Sequence, residues 1–441
     1  YLGLLFERGY SVKYYTEGGR SRTGRLLAPK TGMLAMTIQS LLRGIDRPLT
    51  LVPVYIGYEH VMEVGTYHKE LSGSKKKNES ILGVLKAIKS LRNYGKGFVN
   101  FGEPISINNF LDKQVPDWQA SIDPIEPQKP SWLTPSVNVL SHQVMTGINN
   151  AVALNGVSLI ALILHACENK ALSKTSLAKQ LDFFLSLQSE APYSSELTKP
   201  TCSGEQLIND AISLNKVTVS EDDLGAVISL GESAALEMSY YRNNIIHAFI
   251  LPALVCRLLD HSTKLSKDTL VEQVQTLILI IKPEFFLWQE EADVAEQVQQ
   301  VLAFLENQSI AKQSKAGFWS LIDDTETLSK VKLLSECAEA TVQRLVIVTH
   351  LLQLFSPLTK SALEEKMVVM AKRLAILNNI HAPEFIDKKA QSSLVNHMKS
   401  LSYIEANDDG LFIVNEKLKA LSESLKSLVD IKVIQTITDE D

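Results

Sequence analysis

The sequence predicts an α/β segment followed by a mostly α-helical region. Three observations carry this. Over residues 1–111, short β-branched and aromatic runs alternate with stretches of helical apolar spacing. Between residues 112 and 136 five prolines cluster: Pro116, Pro124, Pro127, Pro130 and Pro135. Beyond them nearly every apolar pattern has the helical period. The expected organisation is therefore an α/β part at 1–111, a Pro-rich linker at 112–136 and a helical region at 137–441.

The elements of the first part follow in order. Leu2 to Arg8 has the pattern of a helix end, closed by Gly9. Ser11 to Tyr15 reads as a strand, because β-branched and aromatic side chains suit a pleated surface. A loop of glycines and arginines follows. Thr31 suits the N-cap of a helix through Leu42, with Gly44 as its stop. Leu49 to Ile56 is apolar enough for a strand buried on both faces. Strand, helix and strand at this spacing predict a parallel βαβ crossover and a mainly parallel sheet. Phe98 to Phe101 is a further strand before the turn Gly102-Glu103-Pro104.

In the helical region, apolar spacing predicts helices over 141–153, 158–167, 174–187, 224–259, 269–281, 294–305, 328–355 and 361–377. Near the end, Tyr403–Ala406 and Leu411–Val414 flank Asn407-Asp408-Asp409-Gly410, a strong hairpin signal. Helices on either side of it suggest a winged-helix-like unit. No internal repeat is evident at this level.

The formal net charge of −6 argues against broad nucleic-acid binding. The four cysteines, Cys167, Cys202, Cys256 and Cys337, form no CxxC pair, which fits a reducing compartment and no metal site. No apolar run reaches the roughly 18 residues of a spanning helix. The nearest, Ile245 to Leu259, is interrupted by His247, Pro252 and Arg257, so membrane contact is expected to be peripheral. The chain opens on Tyr1 and runs straight into a helical pattern, so it is expected to be part of a longer protein.

The most informative stretch is Glu17-Gly18-Gly19-Arg20-Ser21-Arg22-Thr23-Gly24-Arg25, placed where a strand gives way to a helix. Glycines allow close backbone approach to a ligand. Arg20, Arg22 and Arg25 crowd together, and guanidinium forks match phosphate oxygens bidentately. Glu17 supplies a carboxylate able to orient an arginine or a substrate hydroxyl. In spacing alone, an anion site and a solvated basic loop remain about equally favoured. The second stretch is Val52-Pro53-Val54-Tyr55-Ile56-Gly57-Tyr58-Glu59. Proline removes a ladder donor, so Pro53 belongs at a bulge, an edge or a strand start, or at a break that opens a pocket beside the first loop. Lys75-Lys76-Lys77 reads as a solvated loop, with contact to anionic headgroups as a secondary reading. His165 and His247 lie in apolar stretches and read as satisfied core histidines.

These two stretches resemble conserved blocks of the glycerolipid acyltransferase superfamily, in the branch of the long bacterial glycerol-3-phosphate acyltransferases. Phe101-Gly102-Glu103-Pro104-Ile105 is similar to the strand and turn that close that family's catalytic domain, and Ser239-Tyr240-Tyr241-Arg242-Asn243-Asn244 with His247 is similar to its helical region. The resemblance implies acyl transfer from acyl-CoA or acyl carrier protein to the 1-hydroxyl of glycerol 3-phosphate, the first step of phospholipid synthesis. It implies Glu17, Gly18 and Pro53 as catalytic-site residues that shape loop and pocket, and Arg20, Ser21 and Arg22 as substrate-binding residues. No metal or organic cofactor is implied, and no nucleic acid. The expected location is peripheral, on the cytoplasmic side of a bacterial inner membrane.

One departure matters. The family's signature is a His followed five residues later by Asp, and none of the nine histidines here has Asp at that position. The chain is thus expected to hold the later half of an active site without its base, and to be inactive by itself. The competing expectation is a winged-helix-like helical binding module without catalysis. A last expectation concerns Arg242, which lies in an apolar helical stretch. Either it pairs within the helical region, with Glu232 or Glu237, or it reaches across to brace the Glu17–Arg25 loop.

Overall fold

A computed structural model describes residues 1–61, 64, 95–126, 129–378, 380 and 382–438. Lys75-Lys76-Lys77 lies outside the described residues.

The first part is small. Helix α1 (Leu2–Glu7) is followed by Gly9 at φ +76° and packs on α2 (Gly32–Leu41), which follows Thr31. Thr31 makes no side-chain capping bond. Strands β1 (Thr50–Leu51) and β2 (Val54–Tyr58) are two halves of one run, interrupted at Pro53. The returning strands are β3 (Gly97–Phe101) and β4 (Ile105–Ser106). β2 pairs with β3 and β1 with β4, both antiparallel. The expected parallel crossover is therefore replaced by a bent antiparallel ribbon. Ser11–Tyr15 joins no ladder, because β-propensity supplies a suitable surface but no neighbouring strand to pair with. β2 is buried on one face only: Tyr55 and Gly57 point inward and Ile56 and Tyr58 outward.

Helix α3 (Ile107–Gln114) leads into the Pro-rich stretch, most of whose described residues are exposed. A 3₁₀ turn at Trp118–Ser121 seats Trp118, 2% exposed, in a core shared by α2, α3 and the start of α4 (Leu133–Asn150). The far end of α4 reaches the helical region, where the Asn149 amide donates to the Phe285 carbonyl at 2.7 Å.

The helical region is built from one unit used three times. The first runs α5 (Gly156–Ala166), β5 (Ala171–Ser173), α6 (Lys174–Glu190), α7 (Gly204–Ser213), β6 (Thr218–Asp222), β7 (Gly225–Ser229) and α8 (Glu232–Ile245). The second runs α9 (Ile250–Asp260), β8 (Leu265–Ser266), α10 (Lys267–Phe285), α11 (Glu291–Asn307), β9 (Ala311–Gln313), β10 (Phe318–Leu321) and α12 (Thr325–Glu336). The third runs α13 (Glu339–Phe355), Leu358, α14 (Lys360–Leu377), α15 (Lys388–Ser400), β11 (Glu405–Ala406), β12 (Phe412–Ile413) and α16 (Glu416–Lys426). A short α17 (Ile431–Thr438) follows.

In each unit the first strand pairs with the last. β5 meets β7, β8 meets β10, and Leu358 bridges Phe412. Helix, strand, two helices and a hairpin in this pairing order make a winged-helix unit. The hairpin expected near the end of the chain is present, and it is the third of three.

The local causes repeat as well. Ser173, Ser266 and Thr359 each accept a backbone N–H three residues on and cap the second helix. Asn215, Ser309 and Ser402 each end the third helix at positive φ. The sequences Leu172-Ser173-Lys174-x-x-Leu177, Leu265-Ser266-Lys267-x-x-Leu270 and Leu358-Thr359-Lys360-x-x-Leu363 start at 172, 265 and 358, a constant step of 93. The chain thus contains the internal repeat that inspection for longer identity does not find.

The helix expected over 224–259 is three things instead. β7 occupies 225–229, α8 follows, and α9 starts after a 3₁₀ turn and a bend of 83°. The helix expected over 328–355 breaks between Glu336 and Glu339. Among the described residues no single helix is long and apolar enough to cross a membrane.

Candidate functional site

The Gly/Arg loop leaves the first part at Thr16 and returns at Lys30. Its base is closed by the Lys30 amide donating to the Thr16 carbonyl at 2.7 Å. One residue further in, the Glu17 carboxylate accepts from the Leu27 amide at 2.7 Å. Burial raises the Glu17 pKa, and the Leu27 N–H partly offsets that. Gly18 has φ +62°, and a Cβ there would lie 2.7 Å from Lys30 Cγ, so both conformation and space call for glycine. Arg20 and Arg22 are exposed, and Ser21 between them is half-buried. Ser21 Oγ accepts from the Gly24 amide at 3.0 Å and tightens the far turn.

From Thr23 onward the loop is seated on the helical region. The Asn243 amide donates to the Thr23 carbonyl at 2.8 Å. Gly24, at φ +86°, lies so close to α8 that a Cβ would be 2.1 Å from the Tyr240 carbonyl oxygen. Arg25 pairs with Glu284, sits 3.6 Å from Glu384, and stacks with its guanidinium carbon 4.5 Å from the Phe285 ring centre.

Around Arg25 the ions form a network. Arg242 pairs with the same Glu384, and it also donates to Asn243 Oδ1 at 3.0 Å. Asn243 Nδ2 donates to Glu384 Oε2 at 3.0 Å. Arg344 donates to Glu284 at 2.6 Å. Burial alone would raise the Glu384 carboxyl, but Arg242 and Arg25 outweigh it and hold the pKa at about 2. Burial lowers the Arg25 pKa against the pull of Glu284 and Glu384.

The structure thus answers the question of Arg242. Its carboxylate partner is Glu384, and neither Glu232 nor Glu237. That carboxylate also holds Arg25, so Arg242 reaches the loop through a shared ion. Glu284, Arg344 and Glu384 were not foreseen as members of the site. The signal available was the one that singled out Arg242, a charge inside an apolar helical stretch, and Arg344 within Leu345-Val346-Ile347-Val348 carries it too.

A small cleft opens beside this network, lined by Gly24, Arg25, Tyr55, Asn243, His247 and Glu284 among others. Tyr55 OH, Arg25 Nε and Glu284 Oε2 are buried there without a hydrogen-bond partner, which suits a small polar group. Pro53 is buried at the strand break. Its carbonyl accepts from the Gly102 amide at 2.8 Å, and its ring packs on Gly147. Two residues on, Tyr55 lines the cleft. Glu59 accepts from the Lys96 amide at 2.8 Å and pins the ends of β2 and β3 together.

The histidines of the apolar stretches are core groups. His165 lies between the carbonyls of Ala161 and Ala235, at 2.7 and 2.9 Å. His247 lies 3.1 Å from the Asn149 carbonyl, edge-on to Tyr193. Among the described residues no group of three His, Cys, Asp or Glu side chains is placed to hold a metal ion.

An exposed arginine loop, pinned at its base and seated at its far end on a triple winged-helix body, defines the class of this protein by its architecture. The model of the glycerol-3-phosphate acyltransferase C-terminal region matches residues 67–407. The chain is 62% identical to a glycerol-3-phosphate acyltransferase of Colwellia psychrerythraea over 437 residues, 99% of this chain and 54% of that protein. It is 44% identical to one of Aeromonas hydrophila, over 99% of this chain and 53% of the relative, and 45% identical to one of Shewanella woodyi, over 100% and 53%. The chain belongs to the glycerol-3-phosphate acyltransferase C-terminal region family. It spans about half the length of the curated relatives it matches.

Proposed function

We propose that this chain is the phosphate-recognising half of an enzyme that transfers a fatty acyl group to the 1-hydroxyl of sn-glycerol 3-phosphate, giving lysophosphatidate. The observation that carries this is the exposed Arg20–Arg22 pair on a loop anchored at both ends, in a chain whose relatives bear that enzyme's name. Arg20 and Arg22 hold the phosphate and Ser21 lies within the same turn, so the attacking hydroxyl is fixed. Glu17 and Gly18 set the shape of the loop. Pro53 bends the ribbon that places Tyr55 at the cleft. The acyl donor is the thioester of coenzyme A or of acyl carrier protein, and no cofactor takes part. The general base belongs to a His-x₄-Asp pair that this chain does not contain. The protein works at the cytoplasmic face of an inner membrane, peripherally.

The three winged-helix units invite the rival reading of a nucleic-acid module. The charge of the first two opposes it, as does the formal net charge of −6, whereas the third helix of the last unit, α15, carries Lys388, Lys389 and Lys399. The third helix of such a unit would be the reading helix, and α11 carries Glu291, Asp293, Glu296 and Glu306 with no lysine or arginine. In α7, likewise, Glu205 and Asp210 are the charged residues. A transfer assay with labelled glycerol 3-phosphate tests the proposal. The full-length protein should form lysophosphatidate and residues 1–441 alone should form none. Turnover by the isolated chain, or none by the full-length protein with either donor, would overturn it.

A further inference from the structure

All three units of the helical body send a charged side chain to Arg25. The first supplies Arg242, with Asn243 beside it, from the end of α8. The second supplies Glu284 from the end of α10, with Phe285 under the guanidinium. The third supplies Arg344 from α13 and Glu384 from the 3₁₀ turn Pro383–Phe385. Arg25 therefore sits where the three repeats converge, although it belongs to none of them.

Ions buried in this way are a poor means of adding stability, since well-packed apolar residues of like volume do as well or better. What they provide is position. Arg25 cannot move without unpairing Glu284, and Thr23 cannot move without leaving Asn243. The span from Gly18 to Arg22 then runs between two fixed ends: Thr16 and Glu17 on one side, Thr23 to Arg25 on the other. A free loop of this composition would lose backbone freedom on ordering around an anion. A loop already pinned at both ends loses less, and that difference appears as affinity.

We propose that Glu384 and Arg242 are positioning residues for anion recognition: acting through Arg25, they fix the downstream end of the span that presents Arg20 and Arg22. This rests on the reading of that span as the glycerol 3-phosphate site. Neither residue is itself a ligand of the phosphate. The triple-unit body is thereby the mount of the loop, which accounts for a large helical extension on a small α/β part.

The test is Glu384→Gln, which keeps the shape and removes the charge that Arg242 and Arg25 share. Trypsin cleavage after Arg20 and Arg22, followed by mass spectrometry on the 441-residue chain, reads the loop directly. Cleavage should accelerate roughly 10-fold, the scale set by one charge-assisted hydrogen bond. In the full-length protein the KM for glycerol 3-phosphate should rise by a similar factor, with the KM for the acyl donor unchanged. Glu339→Gln, which breaks the separate Arg257–Glu339 pair between units two and three, controls for general loosening and should leave cleavage in the loop unchanged. If Glu384→Gln does not fold, Arg25→Lys serves. It keeps the charge but lacks the fork that spans two carboxylates, and the same two readouts should move. Unchanged cleavage at Arg20 and Arg22 overturns the proposal. Faster cleavage with an unchanged KM for glycerol 3-phosphate overturns the substrate reading beneath it and leaves the network as a structural brace.

Discussion

Arg25 pairs with Glu284 while its guanidinium lies over the ring of Phe285, the next residue in the chain. One helix end thus supplies both a charge and an aromatic face to the same side chain. Arg344 shares that carboxylate from another unit, and Glu384 completes the set. Among the described residues three cations meet two carboxylates, which makes the network unequal in a way that can be measured.

Removing either carboxylate should be costly. Glu284→Ala or Glu384→Ala leaves buried guanidiniums uncompensated, and such losses run to about 3–5 kcal/mol. Arg344→Met should cost no more than about 1 kcal/mol, because Glu284 keeps Arg25 and the excess positive charge disappears. Urea unfolding monitored by circular dichroism checks the ranking. Equal losses for Arg344→Met and Glu384→Ala would contradict the charge count.

Gly24→Ala tests the seating without touching a charge. The new Cβ would fall 2.1 Å from the Tyr240 carbonyl oxygen at a φ of +86°. Strain and overpacking together predict a loss of roughly 2–5 kcal/mol, or a loop lifted off α8. A melting temperature and a tryptic pattern both equal to those of the parent would show that the approach is looser than described.

Arg20→Ala in the full-length protein should raise the KM for glycerol 3-phosphate well above any change for the acyl donor. Loss of a charge-assisted contact is worth about 1.5–3 kcal/mol. Arg20→Lys should recover only part, since an ammonium lacks the planar fork. Matching increases for both substrates would indicate a structural role for this arginine.

How much of this was legible beforehand depends on what each signal measures. The loop and the strand break could be read because glycine, proline and arginine announce local chemistry, and Pro53 does interrupt its strand. The direction of pairing could not. Thr50 to Tyr58 has the composition of a strand, and composition is silent about which neighbour completes it. The strands of the first two units were missed because they are two to five residues long, too short for a period-two pattern to stand out, whereas the third hairpin was announced by its Asn407–Gly410 turn. The ionic network joins Arg25 to residues more than two hundred positions away, beyond the reach of any local pattern. The repeat itself was legible. Leu-Ser/Thr-Lys-x-x-Leu recurs at a step of 93, but each copy is a strand end and a helix cap, so the eye takes it for ordinary capping.

The repeat carries its own prediction. Ser309 and Ser402 sit at φ +56° and +59° after the third helices of their units, conformations that a Cβ disfavours. Ser309→Gly and Ser402→Gly should each stabilise the protein by up to about 1 kcal/mol. Asn215, at φ +53° in the first unit, should gain less, because asparagine tolerates this region better. Thermal unfolding of the three variants would test the order. A loss of stability in both serine variants would mean that the hydroxyls do more than the backbone account allows.

The pH dependence of stability should fall on the acid side, for reasons that add. Burial holds His247 down at about 4, and burial together with Arg242 holds His165 down at about 3, against an ordinary 6.5. Below 6.5 the unfolded chain binds protons at both positions and the folded chain does not. Each histidine then costs about 1.4 kcal/mol per pH unit until its folded pKa is reached. Glu384 has the same sign in a lower window. Its stabilisation is complete above the ordinary carboxylate pKa of 4.5 and is lost as the pH falls toward about 2. Urea midpoints at pH 7, 6 and 5 should therefore decline steeply before Glu384 titrates. His247→Gln, which keeps a donor near the Asn149 carbonyl and removes one titration, should lower the slope between pH 6 and 5. Midpoints that stay flat from pH 7 to pH 5 in the parent protein would mean that both imidazoles are protonated in the folded state, and that the carbonyl pair around His165 holds a cation.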